Sequence, residues 1–284
     1  MIEHFSYGAL TPVLSFVLSF LGCAAGLSCT ARARYYRGRR RALWLWLGAL
    51  AIGGTGVWVM HFVAMLGFSV DGAVIRYDIP LTILSAVLAV VVVAAGLFLV
   101  DRSHGRTGPI LVGGVIAGLG VSSMHYLGMR AMHTDVALSY DPWLVLLSIV
   151  IGVVAATAAL WLSYHVRSVG AGALAAVIMG VAVSGMHYTG MAAMRMGEGD
   201  HAGHAATADP QGLSTGELLV PLAVFLFLST LALVVTALLA RSPGEIQADR
   251  DFDSWRSQLH GDTAQPEDDA VASAPQRTRR ATGR

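Results

Sequence analysis

The chain of 284 residues contains no lysine: all nineteen of its basic residues are arginine. That removes lysine Schiff-base chemistry and excludes a retinal-binding seven-helix protein. Charge of either sign is scarce. Charged side chains are 13% of the sequence and hydrophobic ones 55%, whereas a typical soluble domain carries about 25% charged residues. Cysteine is nearly absent as well. Cys23 and Cys29 lie six apart in the first apolar run, which is neither a CxxC motif nor a disulfide framework, and they read as small core residues. No cleavable signal peptide is expected, because the first apolar run follows an acidic start and its basic flank comes after it.

Long apolar runs, by contrast, are plentiful. Seven are expected to cross a bilayer as helices, at about 8–30, 43–66, 80–100, 109–129, 143–166, 171–194 and 217–240. The expected fold class is therefore all-α, a polytopic membrane protein with seven transmembrane helices. Arginines gather after spans one, three, five and seven: Arg32, Arg34, Arg37, Arg39, Arg40 and Arg41, then Arg102 and Arg106, then Arg167, then Arg241. By the positive-inside rule this expects a multi-pass plasma-membrane protein with its N-terminus outside and its C-terminus in the cytoplasm. The partner this composition asks for is the lipid bilayer and not a nucleic acid.

The chain repeats itself. MHFVAM at Met60–Met65 returns as MHYLGM at Met124–Met129 and as MHYTGM at Met186–Met191. A glycine and a valine precede each copy in register (Gly54/Val57, Gly118/Val121, Gly180/Val183), and a tyrosine precedes a serine by eight at Tyr7/Ser15, Tyr77/Ser85 and Tyr140/Ser148. The unit is two helices and about 63 residues. Repeats at about 7–66, 77–129 and 140–191 make a six-helix domain over 1–196, followed by an outer loop at 197–216, the seventh span at 217–240 and a disordered cytoplasmic tail at 241–284. Two spans return the chain to the same side, so the three repeats are parallel and are expected around a pseudo-threefold axis along the membrane normal. The glycines of the even spans are expected to allow close helix packing.

Within each copy a histidine and a methionine are four apart (His61/Met65, His125/Met129, His187/Met191) and so share one helix face. A histidine inside a membrane span is costly and usually has a partner or a task. Imidazole suits copper, zinc, iron and nickel, and thioether is soft and favours copper, Cu(I) above all. The expected site is accordingly a copper site of His61, His125, His187, Met65, Met129 and Met191 near the outer membrane face. Met60, Met124 and Met186 point about 100° away, while Met132 and Met194 lie a turn further out, and these are expected to be secondary. Tyr126 and Tyr188 are placed either to hydrogen-bond a ligating imidazole or to sit at the membrane interface. In the outer loops His133, His201 and His204 read as an access route of weak ligands or as solvated loop. Haem on two of the histidines is the weaker alternative, because three equivalent donors fit a trigonal site better. A copper-handling or transport protein is the other alternative, although the inner halves of the even spans carry no polar track. A purely structural bundle, with the histidines bonded across helices, also stays open. No acid–base group lies at the depth of the histidines, so an enzyme is not expected.

These strings, with YD ahead of the odd spans and LS inside them (YDIPLTILS, YDPWLVLLS), resemble the MHYT domain family over about residues 4–194. The resemblance implies a bacterial integral-membrane sensor domain that binds copper through Met and His and senses oxygen, carbon monoxide, nitric oxide or redox state. On the motif positions it implies Met60, His61 and Met65, Met124, His125 and Met129, and Met186, His187 and Met191, with His4 as a further match. Many members continue into a cyclase, phosphodiesterase or kinase. The segment after Arg241 is too short for one, so a signal would have to pass to a separate cytoplasmic output protein.

Overall fold

In the computed structural model, residues 2–3, 7–70, 75–103, 106–134, 138–166, 168–196 and 212–239 are described, together with 248, 251–252 and 254–257. Two compact units divide the chain, Met1–Ala237 and Leu238–Arg284. The first contains α1 (Leu10–Ala33), α2 (Gly38–Met65), α3 (Ile79–Arg102), α4 (Thr107–Ala131), α5 (Pro142–His165), α6 (Val169–Ala192) and most of α7 (Thr215–Leu239). Helices α1 to α6 are each long and apolar enough to cross a membrane. Leu14, Ile83, Ile116, Val154 and Ile178 face outward, while Ser15, Ser85, Ser148 and the three motif histidines are buried. An apolar exterior around a polar interior suits lipid as solvent. Consecutive helices pack together from α1 to α6, and α6 packs back on α1, so the six form a closed ring.

Short strands bind the ends of each repeat. β1 (Ile2–Glu3) pairs with β2 (Ser69–Val70), β3 (Arg76–Tyr77) with β4 (Met132–His133), and β5 (Leu138–Tyr140) with β6 (Met194–Met196), all antiparallel. The strand ahead of each odd helix thus joins the strand behind the even helix of the same repeat. The YD motif explains how the odd helices begin. Asp78 accepts from Leu81 N at 2.8 Å and Asp141 from Trp143 N at 3.0 Å, each followed by a proline in the first turn, where a missing N–H costs nothing. Their own N–H groups donate to Ala131 O and Ala193 O, both at 2.8 Å, tying each odd helix's start to its even helix's end. The N–H groups of Trp143 and then Leu144, with Arg195, hold the Asp141 carboxyl below the ordinary carboxylate range. Helix α1 has no such cap at Ala9.

The glycine register holds in two repeats and slips in the first. A side chain at Gly118 would collide with the Val153 backbone, and one at Gly180 would crowd the Phe16 ring and touch the Phe20 backbone. Val153 and Phe20 lie five residues beyond Ser148 and Ser15. The matching contact in the first repeat, to Val90 and Ala89, is made by Gly53 and not by Gly54. The cause is a π-helical stretch, Leu50–Val59, within α2; a π turn accommodates an extra residue. Gly54 is thereby turned outward, where Phe225 of α7 fills its surface. Around it Trp58 and Phe225 meet edge to face at 5.1 Å, and Thr55 Oγ1 and Ser229 Oγ share a hydrogen bond of 3.3 Å. Ahead of α7, β7 (Leu213–Ser214) adds a third strand beside β3.

In the second unit, Phe252 and Trp255 are exposed with their rings 5.8 Å apart. The 241–284 tail lies almost entirely outside the described residues, as does most of the 197–216 loop with His201 and His204, and so does His4.

Candidate metal centre

The three motif histidines lie in the last turns of α2, α4 and α6. Each is almost wholly buried: His61 1%, His125 0% and His187 1% exposed. Their rings meet edge to face at 4.9 Å (His61–His125), 5.0 Å (His61–His187) and 5.1 Å (His125–His187), a near-equilateral triangle. His61 Nδ1 is 3.0 Å from His187 Nδ1 and 3.1 Å from His125 Nδ1. Among the described residues this is the one cluster of three or more His, Cys, Asp or Glu side chains close enough to hold a common ion.

That convergence is chemically specific. A neutral imidazole nitrogen is either a donor or an acceptor along one in-plane direction. One proton can therefore satisfy one pair of the three Nδ1 atoms and leaves the third facing a lone pair. A metal ion satisfies all three. Bonded at about 2 Å in tetrahedral geometry, such an ion holds its ligand nitrogens roughly 3.3 Å apart, so the two spacings from His61 Nδ1 are close to what a three-histidine cap requires. The donor set fits a metal.

The opposite ring edges are accommodated by the motif itself. A Cβ at Gly128 would run into His61 Nε2, and one at Gly190 into His125 Nε2. The glycine of MHYLGM or MHYTGM therefore makes room for the neighbouring repeat's imidazole. All three Nε2 atoms are buried with no protein hydrogen-bond partner among the described residues. A buried, unpaired N–H is expensive, and an ion on Nδ1 that fixes the tautomer is one way to hold it in place.

Met60, Met65, Met124, Met129, Met132, Met186, Met191 and Met194 are all buried. Met132 and Met194 lie outward of the trio on β4 and β6, whose partners across the strands are Tyr77 and Tyr140. The tyrosines of the motif bond elsewhere. Tyr126 Oη pairs with Ser148 Oγ at 2.5 Å and Tyr188 Oη with Ser15 Oγ at 3.3 Å. Both bonds join the even helix of one repeat to the odd helix of the next. In the first repeat Phe62 has no hydroxyl, and Trp58 Nε1 donates to Ser85 Oγ at 3.0 Å instead. Sequence reasoning missed Trp58 and the serine partners, although the recurrent serine eight after each tyrosine was the visible signal. His133 is outside the trio, its Nδ1 3.2 Å from Ala131 O. Cys23 and Cys29 are buried, unpaired core residues of α1, in agreement with their spacing.

A family model described as a bacterial signalling protein N-terminal repeat, MHYT, matches residues 54–113, 118–176 and 180–248. Among curated proteins, the chain is 37% identical over 241 residues to a bifunctional diguanylate cyclase/cyclic di-GMP phosphodiesterase, MucR, of Pseudomonas aeruginosa; the match covers 82% of this chain and 33% of that protein. It is 32% identical to a cyclic di-GMP phosphodiesterase of the same organism, NbdA, over 68% of this chain and 25% of that one. A signaling protein of Bacillus subtilis, YkoW, is 29% identical over 67% of this chain and 24% of its own length. The chain thus spans a quarter to a third of the length of these relatives. No solved structure matches it.

Proposed function

Because the chain belongs to the MHYT family of bacterial signalling proteins, we propose that it is a membrane-embedded sensor whose input site is a copper ion held by His61, His125 and His187. The convergence of three Nδ1 atoms within a buried trio carries this reading. Buried thioethers above and below the trio favour copper, and Cu(I) in particular, over zinc, which more often recruits carboxylate or thiolate. Met65, Met129 and Met191 are the assigned thioether donors. Met60, Met124, Met186, Met132 and Met194 form the soft surround. Bound copper would supply a one-electron couple and a centre with affinity for a diatomic ligand such as oxygen, carbon monoxide or nitric oxide. The protein's own part is to hold three imidazoles in one orientation, to exclude water, and to link each even helix to the next repeat through the Tyr126–Ser148, Tyr188–Ser15 and Trp58–Ser85 bonds, so that a shift at one histidine strains the whole ring. Rings only 4.9–5.1 Å apart leave no room for a macrocycle between them, which disfavours haem.

In this reading α7 is a seventh span, the repeats surround a pseudo-threefold axis, the N-terminus is outside, and the C-terminal side hands the signal to a cytoplasmic output protein. The chain itself is not an enzyme. The test is metal content and visible spectrum of the full chain in detergent, beside His61→Ala, His125→Ala and His187→Ala. One copper per chain is expected, with a loss of affinity of at least about a hundredfold in each single variant, since losing a first ligand should exceed the 10–100-fold of an outer-shell loss. Absence of copper after anaerobic loading with Cu(I), or retention of full affinity in any one variant, refutes a shared three-histidine site.

A further inference from the structure

A second site lies under the trio. Val57, Val121 and Val183 each precede a motif histidine by four residues, so each stands one turn from it toward the N-terminal end of its helix. All three line a single cavity of about 50 Å³, with Ala117 of α4, Ala156 of α5 and Met179 of α6 among its other walls. Every lining residue is Ile, Val, Leu, Ala, Gly or Met. A buried water needs two to four polar partners, and an apolar cavity of this kind stays dry. The space exceeds the roughly 10–15 Å³ that one water-sized probe requires, and it falls well short of the roughly 150 Å³ that admits benzene.

We propose that this cavity is a binding site for a small apolar molecule of two or three heavy atoms. Charged and hydrogen-bonding ligands are excluded by the lining, and an acyl chain or aromatic ring by the volume. What remains is a small molecule that gains contact with the apolar walls and has little hydration to lose. Resting on the sensor reading above, the cavity is the station from which an uncharged diatomic gas reaches the histidines, one helical turn away and without crossing water. The site itself requires no metal.

Xenon is the probe, because it binds dry apolar cavities and reports on shape alone. The full chain in detergent, free of metal, is examined by xenon NMR and in xenon-pressurised crystals, beside Ala156→Phe, which fills the cavity, and Met179→Ala, which enlarges it. Neither residue belongs to the metal site. One xenon in the cavity is expected, with occupancy at least tenfold lower in Ala156→Phe and higher in Met179→Ala. Absence of xenon from the wild type, or unchanged binding in a folded Ala156→Phe variant, overturns the proposal. Should Ala156→Phe fail to fold, Met179→Ala decides alone, and no rise in occupancy overturns it. Copper content is measured in parallel. Copper without xenon removes the cavity and leaves the metal site, whereas xenon without copper removes the sensor reading and leaves the cavity.

Discussion

The first repeat and the other two reach the same endpoint by different means. In the second and third, a tyrosine beside the histidine bonds to a serine of the following repeat. In the first, Phe62 fills the tyrosine's place, Trp58 reaches the equivalent Ser85, and a π-helical stretch turns α2 so that α7 can pack against it. Among the described residues only the first repeat is supported in this way, and the apolar part of α2 is 83% buried against 50% in α4. Even so, the three imidazoles keep nearly equal separations. What the ring demands is a donor on each serine and an imidazole at each apex, and it accepts more than one route to both.

Breaking the first repeat's substitute should do the most harm. Trp58→Ala removes the bond to Ser85 and the contacts with Phe62 and Phe225, and we expect a loss of about 3–5 kcal/mol, seen as the largest fall in Tm in detergent. A Tm within a degree or two of wild type would mean that α7 and Phe62 hold the repeat without it. Next come Gly128→Ala and Gly190→Ala, which push a Cβ into a neighbouring imidazole. Each should cost about 1–3 kcal/mol by overpacking and weaken copper binding about tenfold, whereas Ala64→Gly, at the same place in the first repeat, should leave it nearly unchanged. Equal copper titrations for all three would show that the ring edges are not pinned by the motif glycines.

The tyrosine and phenylalanine can be exchanged to sharpen the contrast. Tyr126→Phe should lose about 1 kcal/mol, the usual worth of one hydrogen bond. Phe62→Tyr should be no gain, because Phe62 is fully buried and Ser85 already has its donor; about 1–3 kcal/mol of destabilisation is expected from an added unpaired hydroxyl. A rise in Tm for Phe62→Tyr would show that the tryptophan route is only a makeshift. The smallest effect concerns acid. Asp141 is held below the usual carboxylate range in the folded protein, so its support of α5 is complete above an ordinary aspartate pKa of about 3.9 and fades as pH falls through the lower folded value. The protection of the Leu144 amide, its exchange taken relative to the intrinsic rate at each pH, should fall on acidification, and that at the start of α1, which has no carboxylate cap, should not. Parallel behaviour at both helices would contradict the capping role.

Much of this was legible in the residues because it repeats. Apolar runs separated by arginine, aspartate and proline marked seven helices, and the i, i+4 spacing put each of His61, His125 and His187 on one face with a methionine. The strings YDIP and YDPW stood out ahead of two of those helices, and their role as caps came from the structure. Three things were not. The slip from Gly54 to Gly53 depends on a backbone hydrogen-bond pattern that apolar composition does not encode, since every residue from Leu50 to Val59 is acceptable in either helix type. The strands that join the helix ends are two or three residues long, too short for any alternation to register. The Tyr126–Ser148 and Tyr188–Ser15 bonds join separate helices, and the sequence shows donor and acceptor but not that they belong together.

The closing of the ring has a consequence in time. Tyr126 and Ser148 are 22 residues apart and Trp58 and Ser85 are 27, but Ser15 and Tyr188 are 173 apart. A chain leaving the ribosome and entering the bilayer can make the first two bonds almost as soon as the second partner arrives. Ser15 must wait for nearly the whole membrane unit to be synthesised, and His187 reaches its two companions at that same late moment. A nascent or truncated chain therefore presents two histidines and an open seam between α1 and its eventual neighbour. Synthesis of α6 itself becomes the checkpoint that separates a chain able to gather all three imidazoles from one that cannot.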